Sequence, residues 1–129
     1  PLGTRTPITA RAAIVLDGPG DVAAERDAFD RLCQFAAVDP FMGGAPQQLP
    51  ERYKAISPAT AAPRLAELLF VQARLPDPSA ATRAAITADG AKVMVRANPG
   101  ASHFAIITPG HAAYAANESA MLAVLKGED

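Results

Sequence analysis

Three short apolar segments predict β-strands that are buried in a sheet. They cover residues 12–17, 68–72 and 92–96, and each is bounded by polar or turn-forming residues. Continuous hydrophobicity over five or six residues is typical of strands covered on both faces, as in parallel sheets. The third segment partly alternates between apolar and polar positions, which predicts a strand nearer an edge of that sheet.

Two helical patterns lie between these strands. Asp21 is placed to cap a helix over residues 22–37, whose apolar side chains recur along one stripe. Ser79 is placed to cap a second helix that runs through residue 88. Gly90 can supply the left-handed turn that ends it. Both connections therefore have the helical character that parallel neighbouring strands require.

A third helix is predicted near the end of the sequence. It covers about residues 111–126, and Gly127 is suited to terminate it. The side chains expected to face inward are Tyr114, Met121, Leu122 and Leu125. This helix follows the third strand and completes the alternation of strands and helices.

The order of these elements predicts the α/β class. The sequence reads strand, helix, long loop, strand, helix, strand, helix, which predicts a parallel sheet with helices on both faces. The stretch 39–63 is rich in Pro, Gly and Gln, so it is interpreted as an irregular, lid-like loop. Residues 1–129 are treated as a single, partial domain.

Composition narrows the possible partners and suggests an incomplete folding unit. The 129 residues carry a net charge of −1, which disfavours nucleic-acid binding and a polybasic membrane surface. No apolar run reaches the ~18–20 residues of a membrane-spanning helix. Alanine dominates the hydrophobic share and Trp is absent. So thin a core predicts that the chain is not a complete folding unit. A cytoplasmic location is expected, with secretion left open.

Candidate chemistry lies where the predicted strands end, because the loops at the carboxyl ends of parallel strands meet at one edge of the sheet. Asp77 follows the second strand and His103 follows the third. A carboxylate that fixes the tautomer of an imidazole leaves the other ring nitrogen free to take a proton from a nucleophile. Asp77 and His103 are therefore the predicted acid–base pair.

Four motifs give the chain a resemblance to a known family. They read Asp-Pro-Phe-Met-Gly-Gly at 39–44, Ile-Ser-Pro at 56–58, Leu-Leu-Phe-Val-Gln-Ala at 68–73 and Pro-Gly-Ala-Ser-His-Phe at 99–104. In this order they resemble the C-terminal half of an α/β-hydrolase, above all the bacterial carboxylesterase and feruloyl-esterase-like group. The resemblance implies a doubly wound sheet, His103 as catalytic histidine and Asp77 as catalytic acid.

The resemblance also implies a partner. An α/β-hydrolase carries its serine in a G-x-S-x-G turn, and no such turn occurs in the 129 residues. The family places that turn on the strand before residue 12. The implied protein is a serine hydrolase of small carboxylic esters, acting through an acyl-enzyme and needing no metal or cofactor. Its N-terminal half would supply the nucleophile from another chain, as after cleavage of a longer hydrolase.

Other interpretations of the chain remain open. A peptidase of the prolyl-oligopeptidase type shares the same half-domain. A non-catalytic hydrolase-like binding module fits the missing G-x-S-x-G turn and the pair Gln72-Ala73, where the family usually has His-Gly. A flavodoxin-like binding domain is disfavoured, because no phosphate-binding turn follows the first strand.

Five further residues are interpreted as structural. Cys33, the sole cysteine, is expected to be a small buried hydrophobe. Ser57 is read as a turn residue and His111 as a surface histidine. Ser102 is rejected as nucleophile, because it adjoins His103 and no nucleophile turn surrounds it. Asp17 lies at a strand end, where a residue can line the site, but a structural hydrogen bond to its own turn, 18–21, is the favoured interpretation.

Overall fold

The structure, a computed structural model, describes residues 10–61, 65–88 and 90–128. In these residues three strands alternate with helical segments in the order predicted. The strands are β1 (Ala12–Leu16), β2 (Glu67–Gln72) and β3 (Lys92–Ala97); the helices are α1 (Arg26–Cys33), α2 (Val38–Met42), α3 (Pro50–Ile56), α4 (Pro58–Ala61), α5 (Ala80–Ala88) and α6 (Ala112–Lys126). None of these helices is long and apolar enough to cross a membrane.

The strands form one parallel sheet in the order β1-β2-β3. Ile14 pairs with Leu69, and Leu69 pairs with Met94, which sets the register across the sheet. The central strand β2 is buried along its whole length, whereas β1 and β3 are partly exposed. The predicted α/β class and the edge position of the third strand are confirmed.

Helices cover both faces of the sheet. Successive side chains of a strand point to opposite faces. Accordingly, Leu68 and Phe70 of β2 pack with Ile86 of α5 on one side. Leu69 and Val71 pack with Val124 of α6 on the other. Because both faces are covered, β2 is apolar at consecutive positions, and this explains the uninterrupted hydrophobic segment.

The predicted caps of the later helices are confirmed. The Ser79 hydroxyl accepts a hydrogen bond from the Thr82 amide at 3.0 Å, directly before α5. Gly90 and Gly127 adopt φ of 92° and 76°, the left-handed conformation that glycine enters without a Cβ clash. Sequence signals for a helix end therefore correspond to real ends here.

The first helix is shorter than predicted. Asp21 does accept the amides of Ala23 and Ala24, but α1 spans Arg26–Cys33 rather than 22–37. Gln34 adopts the left-handed conformation at φ 62° and ends the helix. The Asp30 carboxylate then accepts the amides that open α2 at 2.8 and 3.1 Å. A side chain inside the predicted helix thus caps the next one, which the apolar periodicity could not reveal.

An expectation about secondary structure and part of an expectation about packing are wrong. The stretch 39–63 is not irregular, since its described part holds most of α2 and all of α3 and α4; residues 62–63 lie outside the described residues. In α6, Leu122 and Leu125 are exposed, Leu125 at 71%, while Asn117 and Val124 are buried. Met121 packs against the core as predicted, whereas Asn117, which the prediction did not place inside, is buried and makes hydrogen bonds there.

Candidate active site

Asp17 is the carboxylate around which the edge of the sheet is organised. It follows β1 directly and adopts φ of 47°, a left-handed conformation that Asp tolerates better than most residues. Its side chain is fully buried, and Oδ1 accepts the amides of Ala73, Arg74 and Leu75 at 2.9–3.0 Å. Asp17 therefore binds the turn after β2, and not its own turn as the sequence predicted.

The other oxygen of this carboxylate contacts His103. The distance from His103 Nδ1 to Asp17 Oδ2 is 2.8 Å, and the imidazole is 49% exposed. An ionised carboxylate only accepts hydrogen bonds, so Nδ1 carries the proton in this contact. In the neutral form of this imidazole, Nε2 carries a lone pair, and the described residues provide no hydrogen-bond partner for Nε2.

The surroundings of Asp17 favour its ionised form. Burial acts to raise the pKa of Asp17, but hydrogen bonds from the amides of Ala73 and Leu75, from the His103 ring and from the Arg74 amide outweigh it. The pKa of Asp17 consequently lies below its ordinary value. The carboxylate is charged at neutral pH, because oriented N–H groups stabilise its charge.

Asp77 is not the carboxylate beside the histidine. The structure pairs His103 with Asp17, whereas Asp77 is exposed and has no hydrogen bond or ion pair within the described residues. The turn after β2 directs its amides toward Asp17, and the buried side chains of Leu75 and Pro78 leave Asp77 facing solvent. The predicted pairing of Asp77 with His103 is therefore wrong, while the place of His103 at this edge is as expected.

Three amide side chains hold the loops that carry the pair. Gln72 Nε2 donates to the carbonyls of Gly18 and Pro76, both at 3.0 Å, which joins the turns after β1 and β2. Asn98 Nδ2 donates to the Gln72 carbonyl, and Asn98 Oδ1 accepts from Asn117 of α6 at 2.7 Å. Sequence reasoning missed Asn98 and Asn117. The sequence did contain a signal for Asn117, because it is a single amide among the inward positions of an alanine-rich helix.

A cavity of about 480 Å³ lies beside the pair. Its size falls within the range of ~300–1,000 Å³ that is typical of small-molecule sites. The Phe104 ring stands edge-on to the imidazole, with ring centres 5.7 Å apart. The residues that line the cavity with Asp17 and His103 are Phe29, Leu32, Cys33, Arg74, Ser102 and Phe104. Cys33 is thus exposed at a cavity and not buried as predicted, because α1 ends at this residue.

Three residues that the sequence analysis left out of the catalytic pair make structural hydrogen bonds: Ser57, Ser102 and His111. Ser57 is buried, accepts the Val22 amide and donates to the Tyr53 carbonyl, so its hydroxyl is fully engaged. The Ser102 hydroxyl accepts the Ala105 amide at 3.1 Å. The exposed His111 caps α6 through the Ala113 amide. Neither of these two serine hydroxyls is paired with His103.

The fold and the site together define an α/β protein with a hydrogen-bonded histidine–carboxylate pair at the carboxyl edge of its sheet. Within the described residues, no three His, Cys, Asp or Glu side chains are grouped as metal ligands would be. No family model, curated protein or solved structure matches the chain. None of these comparisons therefore bears on the chemistry of the site.

Proposed function

We propose that this chain is the acid–base half of a serine hydrolase that acts on carboxylic esters through an acyl-enzyme. His103 acts as general base and then as general acid, and Asp17 orients it. The observation that carries the proposal is the 2.8 Å contact between His103 Nδ1 and a fully buried carboxylate, beside a cavity of ligand size. The reaction class comes from the resemblance to carboxylesterases.

The geometry supports these roles in the order the reaction needs them. The lone pair of His103 Nε2 takes the proton of an attacking hydroxyl, which produces an imidazolium beside Asp17. The carboxylate stabilises that imidazolium and stays ionised itself, because the amides after β2 keep its pKa low. Nε2 then returns the proton to the leaving alcohol. A water molecule repeats the cycle to release the acid from the acyl-enzyme.

The nucleophile in this proposal lies outside the 129 residues. The sequence holds no G-x-S-x-G turn, and the hydroxyls of Ser57 and Ser102 are committed to backbone groups. We place the missing serine on a strand that pairs with the outer edge of β1. That edge is only partly buried, and Leu16 and Leu125 beside it are exposed. A paired strand would satisfy its backbone groups and cover the apolar side chains.

A serine-directed label tests this proposal on the natural protein. The protein is purified with every polypeptide that accompanies this chain, and a fluorophosphonate probe is applied. We expect the probe to label a serine outside these 129 residues and short-chain phenyl esters to be hydrolysed. The His103→Ala variant should lose both, since the serine would keep its proton, whereas the exposed His111→Ala variant should retain both.

The other outcomes separate the alternatives. Absence of labelling in the intact assembly, with the variants equally inert, contradicts the hydrolase and favours a non-catalytic binding module. Labelling with turnover of peptides but not of esters contradicts the esterase and favours a peptidase. Labelling that persists in His103→Ala at the original rate would remove His103 from the mechanism.

A further inference from the structure

We propose that Arg31 and Arg74 bind an oxyanion group of the ester substrate, a carboxylate or a phosphate, next to the histidine–carboxylate pair. This inference rests on the proposed function, because it names the kind of ester that the site accepts. Both arginines line a cavity of about 430 Å³ between the end of α1 and the turn after β2. We call it the arginine cavity.

The two arginines supply the polar side chains of the arginine cavity. Its other lining residues in the described part of the chain are alanine, leucine and proline, which carry no charge. A guanidinium stays positively charged, and its planar fork of N–H donors fits the oxygens of a carboxylate or a phosphate. Two such groups around one cavity therefore favour a ligand with a negative charge.

Neither guanidinium is neutralised by a carboxylate of the described residues. Arg31 and Arg74 are exposed, and within that part of the chain neither side chain makes an ion pair or a hydrogen bond. Asp27, one turn before Arg31 on α1, is paired with a different arginine at 3.4 Å. The whole chain carries a net charge of −1, so a generally basic surface does not explain two unpaired arginines at one cavity.

Arg74 connects the arginine cavity with the histidine–carboxylate pair. Its amide donates to both carboxylate oxygens of Asp17 at 3.0 Å, which fixes its backbone beside the pair. Its side chain lines the cavity of His103 as well as the arginine cavity, and Leu32 also lines both. A ligand whose oxyanion is bound at Arg74 can therefore extend into the cavity that contains His103. Charge at one end of the substrate would then orient the ester bond at the other.

The chain offers variants that separate charge, geometry and position. Arg31→Gln and Arg74→Gln each remove one charge, and the bond from residue 74 to Asp17 is kept because a backbone amide donates it. Arg74→Lys keeps the charge but loses the planar fork. Arg83→Gln is the matched control, since Arg83 is an exposed arginine of α5 that lines neither cavity.

The first test measures binding without requiring catalysis. The natural protein, with every polypeptide that accompanies this chain, is titrated by calorimetry with benzoate, phenyl phosphate and the uncharged benzamide. We expect at least one of the anions to bind, with an affinity that falls as salt is added, and benzamide not to bind. Arg31→Gln and Arg74→Gln should each weaken binding of that anion about tenfold, whereas Arg83→Gln should bind it as the unmodified protein does.

The second test measures the preference among esters. The value of kcat/KM is determined for 4-acetoxybenzoate or 4-acetoxyphenyl phosphate, whichever carries the anion that bound more tightly, and divided by that for the neutral 4-acetoxybenzamide. This ratio should fall about tenfold in Arg31→Gln and in Arg74→Gln. Arg74→Lys should give an intermediate ratio, and Arg83→Gln the ratio of the unmodified protein.

The outcomes distinguish this inference from the proposed function. Absence of binding by both anions, equal binding of benzamide, or equal effects of Arg74→Gln and Arg83→Gln overturns the arginine cavity as an anion site. Release of an accompanying polypeptide from the Arg31→Gln/Arg74→Gln double variant, seen by size-exclusion chromatography, would assign both arginines to that interface and also overturn it. Ester hydrolysis with the same preference in every variant contradicts this inference alone. Anion binding that requires both arginines, without ester hydrolysis, contradicts the proposed function, and with it the assignment of the anion to an ester.

Discussion

Replacement of Asp17 by Asn tests the centre of the site. The two side chains have the same shape, and Asn tolerates the left-handed backbone at φ 47° as well as Asp does. The substitution therefore leaves the backbone unstrained, while it removes the charge and turns one acceptor oxygen into a donor NH₂ group. Ala at this position would add backbone strain and would leave the amides of Ala73 and Leu75 without an acceptor, so it is a poorer probe.

The expected loss of stability in Asp17→Asn follows from the hydrogen bonds of the carboxylate. The Asn oxygen can keep the Ala73 and Leu75 amides, and the NH₂ group then replaces Oδ2, which faces the Arg74 amide and the His103 ring. Hydrogen bonds to charged groups contribute about 1.5–3 kcal/mol each. His103 can recover a bond by changing tautomer, whereas the Arg74 amide keeps its bond to the remaining oxygen and loses the one to Oδ2. We expect a loss of about 2–3 kcal/mol in the free energy of unfolding.

The same substitution changes the tautomer of His103. The NH₂ group of Asn donates to Nδ1, which moves the ring proton to Nε2. Nε2 then has no lone pair for the proton of a nucleophile, and a catalytic rate that depends on this pair should fall by about 10⁴. The change of tautomer is measured directly from the ¹⁵N shifts of the imidazole in the purified protein, without any assay of activity.

Asp77→Asn is the matched control, because Asp77 is the carboxylate that the sequence predicted and the structure leaves exposed. Urea unfolding at neutral pH should show the loss of stability for Asp17→Asn and none above ~0.5 kcal/mol for Asp77→Asn. Equal effects of the two substitutions, or an unchanged tautomer of His103 in Asp17→Asn, would refute the assignment of Asp17.

The low pKa of Asp17 also determines how the stability of the fold changes with pH. Because the folded pKa lies below the unfolded one, the carboxylate contributes stability above the unfolded value of about 4. That contribution is lost as the pH falls through the folded pKa. Urea midpoints at successive pH values should therefore decline in acid more steeply for the unmodified protein than for Asp17→Asn, and parallel curves would contradict this reasoning.

Two further substitutions test the surroundings of the site. Glu25 has a raised pKa because it is partly buried and lies near Asp21, although the amides of Gly20 and Asp21 partly offset this. Glu25→Gln should therefore raise the urea midpoint at neutral pH, with the gain vanishing below about pH 4, and a fall at neutral pH would contradict the account. Gly20→Ala places a Cβ 2.5 Å from a Thr82 methyl carbon and 3.3 Å from Pro78. This overpacking should cost about 1–3 kcal/mol in urea unfolding, and a change below ~0.5 kcal/mol would show that the contact relaxes.

The sheet could be predicted from the sequence because its signals are local. The segments 12–17, 68–72 and 92–96 match the observed strands within one residue at each end. A strand buried on both faces needs apolar side chains at consecutive positions, and the short length and polar flanks of these segments favour strands over helices. The prediction of an irregular loop over 39–63 failed because α2, α3 and α4 are only four to seven residues long. Helices of this length are too short for helical periodicity to appear in the sequence.

The partner of His103 could not be predicted in the same way. Asp17 and Asp77 both follow a strand, and the sequence offers no local sign of which carboxylate turns inward. The choice is made by the amides of 73–75, which lie more than fifty residues beyond Asp17 and converge on it after β1 and β2 have paired. A buried carboxylate needs such donors, and Asp77 has none within the described residues.

The placement of Asp17 connects stability with the chemistry that we propose. One carboxylate joins the ends of β1 and β2 through backbone amides and holds the imidazole through its second oxygen. Asn98 and Asn117 fix the start of the loop that carries His103 to α6. The contacts that hold His103 beside Asp17 therefore come from residues of this chain. A second polypeptide would have to supply a hydroxyl within reach of Nε2 and the donors for an oxyanion. On this account, binding of that polypeptide should leave the tautomer of His103 unchanged.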